Sequence, residues 1–242
     1  MTGAPGSVYL KRDALRAEGK RKKDRSPGPT SHAMGMRRKA RATLCIAFVL
    51  ASACSRYPAP TYMAMALLAP PAASKRLFTT TTVTLGSIAG VAGADSICAS
   101  DTARPTAAVY KALIVDSVGN RRACATSNCS GGISENISWV LRPNQAYVRA
   151  DGSTPVMQTN SAGIFDFNLG NLTNSIDGTT NRFWTGLATD WTVAAATHCS
   201  DWTSSSGVVN GERGFPNNVT AAAISSGAVA CNAARAILCV EQ

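Results

Sequence analysis

Six cysteines between residues 98 and 239 constrain this chain more than any other feature: Cys98, Cys124, Cys129, Cys199, Cys231 and Cys239. Such a set either ligates a metal or forms disulfides. Zinc sites built on cysteine usually space their ligands as Cys-x-x-Cys or recruit histidine. None of the six is so spaced, and the only histidine beyond residue 32 is His198. Disulfides are therefore expected, which requires export to an oxidising compartment. Spacing alone leaves fifteen connectivities for six cysteines.

Two further cysteines, Cys45 and Cys54, lie upstream in a segment that reads as a leader. Residues 1–33 are polar, rich in Pro, Gly and Lys, and without apolar periodicity, so they read as a disordered or non-native extension. A basic stretch, Arg37-Arg38-Lys39-Ala40-Arg41, then precedes an apolar run from Ala42 to Ala53. That run is too short to span a bilayer, which takes about 20 residues, and has the length and basic flank of a signal peptide. Residues 34–53 are read as that peptide, which puts the translation start at Met34 or Met36. Ala51-Ser52-Ala53 before Cys54 resembles a lipobox, with Ala51 where leucine is usual, and implies a lipidated Cys54. Residues 54–74, with Pro58, Pro60, Pro70 and Pro71, read as a tether between that anchor and a domain over residues 75–242.

The formal charge of +10 could suggest a nucleic-acid partner. Residues 1–53, however, hold twelve Lys/Arg against three acids, and residues 54–242 hold twelve against eleven. Phosphate binding needs clustered positive charge on the folded part. The basic character belongs to the leader, so no nucleic-acid partner is expected.

Within the domain the composition favours short strands and loops over long helices. Strands are expected at Leu77–Val83, Ala108–Asp116, Gln145–Arg149 and Gly163–Phe167, with a helix opening over Gly90–Cys98. Further apolar cores lie at Phe183–Leu187, Trp191 and Ala236–Val240.

The order Phe183-Trp184-Thr185-Gly186-Leu187, Trp191, Cys199-Ser200-Asp201-Trp202, Cys231 and Ala236-Ile237-Leu238-Cys239-Val240-Glu241 resembles the C-terminal half of endostatin. Gly93–Cys98, Arg121–Cys124 and the closing Cys-Val-Glu-Gln are similar to an endostatin-like domain of unknown function found in bacterial lipoproteins, the leptospiral endostatin-like family among them. The resemblance implies an α+β, C-type-lectin-like fold: a mixed, mostly antiparallel sheet with one or two short helices, stapled by disulfides. It also implies the pairs Cys98–Cys239 and Cys199–Cys231, with Cys124–Cys129 as a local addition. Trp184, Trp191 and Trp202 would then pack around the Cys199 disulfide.

No catalytic residue, cofactor or metal site is expected. His198 adjoins an oxidised cysteine, and the carboxylate pairs Asp190/Asp201 and Asp166/Asp177 sit in ordinary loop contexts. Calcium lectins of related fold use Glu-Pro-Asn and Trp-Asn-Asp triplets, where this chain offers only Phe215-Pro216-Asn217. Recognition by surface remains. The resemblance implies binding of extracellular-matrix proteins, plasma proteins or sulfated glycans through exposed arginines. Arg121, Arg122, Arg149 and Arg213 are the candidates, taken from a set that includes Arg142 and Arg182. Arg121 and Arg122 are expected in a Gly- and Asn-flanked loop, where replacing both with alanine weakens binding and leaves the melting temperature unchanged. The expected location is the outer membrane or cell surface, with secreted or periplasmic placement as the alternative. The alternative functions are an envelope protein without a ligand and a carbohydrate-binding lectin.

Overall fold

A computed structural model describes residues 73–242. The extension, the signal peptide, Cys54 and nearly all of the tether lie outside the described residues. The elements in chain order are β1 (Lys75–Thr79), α1 (Gly90–Ser100), β2 (Tyr110–Ala112), β3 (Ala146–Val148), β4 (Pro155–Gln158), β5 (Phe183–Trp184), α2 (Cys199–Trp202), β6 (Asn210–Gly214), β7 (Ala228–Ala230) and β8 (Ala236–Glu241).

The strands form one sheet in the order β4-β3-β1-β8-β5-β6-β7, with β2 also paired to β8. β1/β3 and β5/β8 run parallel, and the remaining pairs are antiparallel. β8 is central, with β1 along one edge and β2 and β5 sharing the other. Its residues alternate between two cores, as strand geometry requires. Ile237 and Cys239 join Phe78, Tyr110, Trp184 and Trp202 on one face, whereas Leu238 and Val240 join Leu77, Phe183 and Trp191 on the other.

α1 buries Val91, Ala94 and Cys98, a helical spacing that lays one stripe on the sheet. Cys98 there bonds Cys239 of β8, Cys199 of α2 bonds Cys231, and Cys124 bonds Cys129 across a tight loop. These are the pairs that the resemblance implies. Close packing surrounds Cys199: a methyl at Gly86 would lie 2.4 Å from its Sγ, and one at Gly211 would lie 2.6 Å from it. α2 is one turn whose residues have φ between 50° and 64°, the left-handed region that costs ordinary residues about 1–2 kcal/mol each. It is held by the disulfide, by Trp202 Nε1 donating to the Val115 carbonyl at 2.7 Å, and by His198 Nδ1 accepting the Asp201 N–H at 3.1 Å.

Several elements differ from expectation. β1 ends at Thr79, because the Thr81 and Thr82 amides turn away to the Asp101 carboxylate. Only Tyr110–Ala112 of the expected Ala108–Asp116 strand is regular, although the Leu113 and Val115 amides still reach Leu238 and Thr185 carbonyls. Gly163–Phe167 is not a strand. The Asn160 side chain takes the Ala162 and Ile164 amides, and the indoles of Trp139 and Trp191 donate to the Gly163 and Phe165 carbonyls. Side chains thus satisfy the backbone that a neighbouring strand would otherwise pair. Trp184 and Trp202 share a core with the Cys199–Cys231 disulfide, but Trp191 lies in the other core, stacked on Phe167 at 5.9 Å.

Candidate functional site

The structure separates the four candidate arginines. Arg121 is a correction: its side chain is 3% exposed and does not stand out from a loop. Its guanidinium grips the Asp95 carboxylate through Nη1 at 2.9 Å and Nη2 at 2.8 Å, and also donates to the Ala112 and Ser138 carbonyls. Because Asp95 accepts the Ala112 N–H as well, this ion pair ties α1 to β2. Arg122 is half-buried, with Nε donating to the Glu135 carbonyl at 3.1 Å. Arg149 spends Nε and Nη2 on the carbonyl and hydroxyl of Ser175. Arg149 is thus partly committed to the fold, whereas Arg122 keeps its Nη groups out of the hydrogen bonds found among the described residues.

Arg213 differs. It lies on β6 opposite Trp184 of β5, and Ile237 of β8 is also paired with Trp184. Paired residues share a sheet face. Arg182 and Arg235 lie just before β5 and β8, where the Ala236 N–H donates to the Arg182 carbonyl at 3.1 Å and sets the two arginines side by side. The three arginines line one hollow of about 210 Å³, with Thr180, Asn181 and Val83 beside them. Arg182 is positioned by the Phe215 ring 4.5 Å beneath it and by Nη1 donating to the Ser226 hydroxyl at 2.9 Å. Arg235 Nη1 donates to the carbonyl of its own neighbour, Ala234. The buried Nε atoms of Arg213 and Arg235 have no hydrogen-bond partner among the described residues. Burial, together with the neighbouring Arg182, pushes the proton affinity of both guanidiniums down, and Arg235 adds to the effect on Arg213. The nearby Glu212 carboxylate opposes this at Arg213, but it accepts hydrogen bonds from Ser225 and Gly227.

The carboxylates mostly brace turns. Glu135 accepts the Thr126 hydroxyl and the Thr126, Ala125 and Gly131 amides, which hold its carboxyl down to about 2 and fix the Cys124–Cys129 loop. Burial works to raise the Asp101 carboxyl, but the Thr82, Ala103 and Thr81 amides outweigh it and leave it below the usual range. Asp190 caps Thr192, Asp166 caps Asn168, Asp177 caps Thr179 and Asp201 receives Ser117, so neither suggested pair shares a donor. His198 lines a separate hollow of about 400 Å³ with Asp116, Ser117 and Arg122. Among the described residues no cluster of three or more His, Cys, Asp or Glu could hold a metal ion. No helix among them is long and apolar enough to cross a membrane.

A family described as a protein of unknown function, DUF1554, matches residues 58–219. The chain belongs to the DUF1554 family. The matched part of this DUF1554 chain contains Arg182 and Arg213, while Arg235, Cys231 and Cys239 follow it. No curated protein matches the chain. Sequence reading had Arg213 as a site residue and Arg182 as a surface arginine, but missed Arg235. The available signal was its position immediately before the apolar run that opens at Ala236.

Proposed function

We propose that this DUF1554 chain is an exported, lipid-anchored surface protein whose described part is an endostatin-like, C-type-lectin-like domain that works by binding. The observation that carries the reading is the Cys98–Cys239 bond between the first helix and the last strand, with Cys199–Cys231 nested within it. That arrangement supports the endostatin resemblance. The use of carboxylates as turn braces supports recognition over acid–base chemistry, which needs a positioned and titratable side chain. The partners are extracellular-matrix proteins, plasma proteins or glycosaminoglycan chains, and the membrane is engaged through lipid on Cys54.

The test has two arms. Cells fed a labelled fatty acid should label the wild-type protein but not Cys54→Ala; equal labelling of both, or of neither, refutes the anchor. The full chain should bind at least one member of a panel of immobilised matrix proteins, plasma proteins and glycosaminoglycans. Failure across that panel refutes the recognition reading.

A further inference from the structure

The hollow between β6, β5 and β8 concentrates positive charge without an ion-pair partner. Arg213 reaches it from β6, and Arg182 and Arg235 reach it from the segments immediately before β5 and β8. Neither of the ion pairs found among the described residues, Arg121–Asp95 and His198–Asp201, involves them. Of the three buried side-chain polar atoms left without a partner among the described residues, two are the Nε atoms of Arg213 and Arg235. Proteins satisfy the large majority of such groups, so two orphans in one hollow need an explanation. Folding alone gives none, because three crowded guanidiniums repel one another and no packing advantage requires all three to be charged.

The neighbours say what the hollow accepts. It has cationic forks, a threonine and an asparagine at its rim, and no carboxylate among its lining residues. A carboxylate offers two oxygens in one plane, with about four acceptor positions, whereas an anion with three or four oxygens arranged in three dimensions can meet forks arriving from three directions. The Phe215 ring and the Ser226 hydroxyl hold Arg182 in place, so less side-chain freedom is lost when an anion arrives.

We propose that Arg182, Arg213 and Arg235 form a binding site for one tetrahedral oxyanion, sulfate or phosphate, either free or as a monoester on a small ligand. The proposal rests on the recognition reading above and supplies its chemistry. The anion replaces the missing counter-charge and accepts from guanidiniums that otherwise repel. Because the site lies partly buried on a sheet face, binding is less sensitive to salt than a surface charge patch would be.

The full chain is melted in sodium sulfate, sodium phosphate and sodium chloride at equal ionic strength. At a hundredfold excess over Kd, sulfate or phosphate should raise the midpoint by roughly 5–10 °C over chloride. Arg213→Gln and Arg235→Gln should abolish that rise, while in chloride alone they melt at or above the wild type, since repulsion is relieved. Arginines with a purely structural role would instead lower the chloride midpoint. Titration calorimetry of the wild type with the same ions, and Arg182→Gln on the segment before β5, keep the test decisive if a strand variant fails to fold. Glucose 6-sulfate and glucose 6-phosphate separate the sources. Tighter binding of an ester than of its free ion assigns a presented group, and the reverse assigns the free ion. Equal midpoints in all salts with no calorimetric binding, or sulfate shifts that survive in the variants, overturn the site. A wild-type chain that captures a matrix protein but binds neither sulfate nor phosphate overturns the site and leaves the recognition reading standing. Sulfate binding with no macromolecule captured does the reverse.

Discussion

Replacing Arg121 with alanine removes four hydrogen bonds: two to Asp95, one to the Ala112 carbonyl and one to the Ser138 carbonyl. The cost can be built from those partners. The Ala112 carbonyl is buried, and a buried acceptor left unpaired costs about 1–3 kcal/mol. Ser138 is exposed, so water can reach its carbonyl and the loss there is smaller. Asp95 keeps the Ala112 N–H and is 25% exposed, so water recovers much of its lost attraction and only a small further cost is added. The sum is about 2–4 kcal/mol. For a domain of this size that lowers the melting midpoint by roughly 4–16 °C. Arg121→Lys should fall between wild type and alanine, because an ammonium cannot reproduce the fork. Urea unfolding of wild type, Arg121→Ala and Arg142→Ala measures the difference. Arg142 is exposed, and its replacement should stay within about 0.5 kcal/mol of wild type. A loss below about 1 kcal/mol for Arg121→Ala would refute the view that this arginine joins α1 to β2.

The three disulfides should rank by the chain they close. In the chain-entropy picture, separations of 141, 32 and 5 residues correspond to about 5, 3.7 and 2 kcal/mol, so paired Ala substitutions at Cys98/Cys239 should destabilise most and those at Cys124/Cys129 least, as read by urea midpoints. Glu135 should make the fold acid-sensitive. Its folded value of about 2 lies below the ordinary 4.5, so its contribution is complete above about pH 4.5 and is lost as pH falls toward 2. The midpoint of wild type should drop more across that window than that of Glu135→Gln, and parallel curves would refute the assignment.

What the sequence disclosed follows from how local each signal is. β8 was legible only as an apolar core, because five successive apolar residues, a cysteine among them, fit a strand buried on both faces but equally a buried helical turn. The α1 stripe was legible from its spacing, and the cysteine pairs came through the family resemblance. Gly163–Phe167 was misread because its partners are an asparagine side chain and two indoles from distant segments, which periodicity does not report. Arg121 was misread for a similar reason. A Gly-Asn neighbourhood suggests an exposed loop, yet the Asp116 carboxylate takes the Gly119, Asn120 and Arg121 amides and turns the chain back so that the guanidinium enters the fold. The arginine hollow needs β6 and the segments entering β5 and β8 side by side, and that arrangement exists only once the sheet is assembled.

The central place of β8 also orders events in time. Strands β1, β2 and β5 all pair with residues 236–241, which follow them in the chain by 52 residues or more. As the polypeptide emerges in order, those strands have no middle to assemble on, and Cys98 has no lasting partner until Cys239 arrives. Such long-range closure is slow and exposes unpaired edges in the interval. An emerging chain of this kind stays open until residues 236–241 arrive, then closes around its last strand. The Cys124–Cys129 and Cys199–Cys231 pairs can close before that moment, but any bond that Cys98 makes earlier is a wrong one and has to be undone by thiol–disulfide exchange.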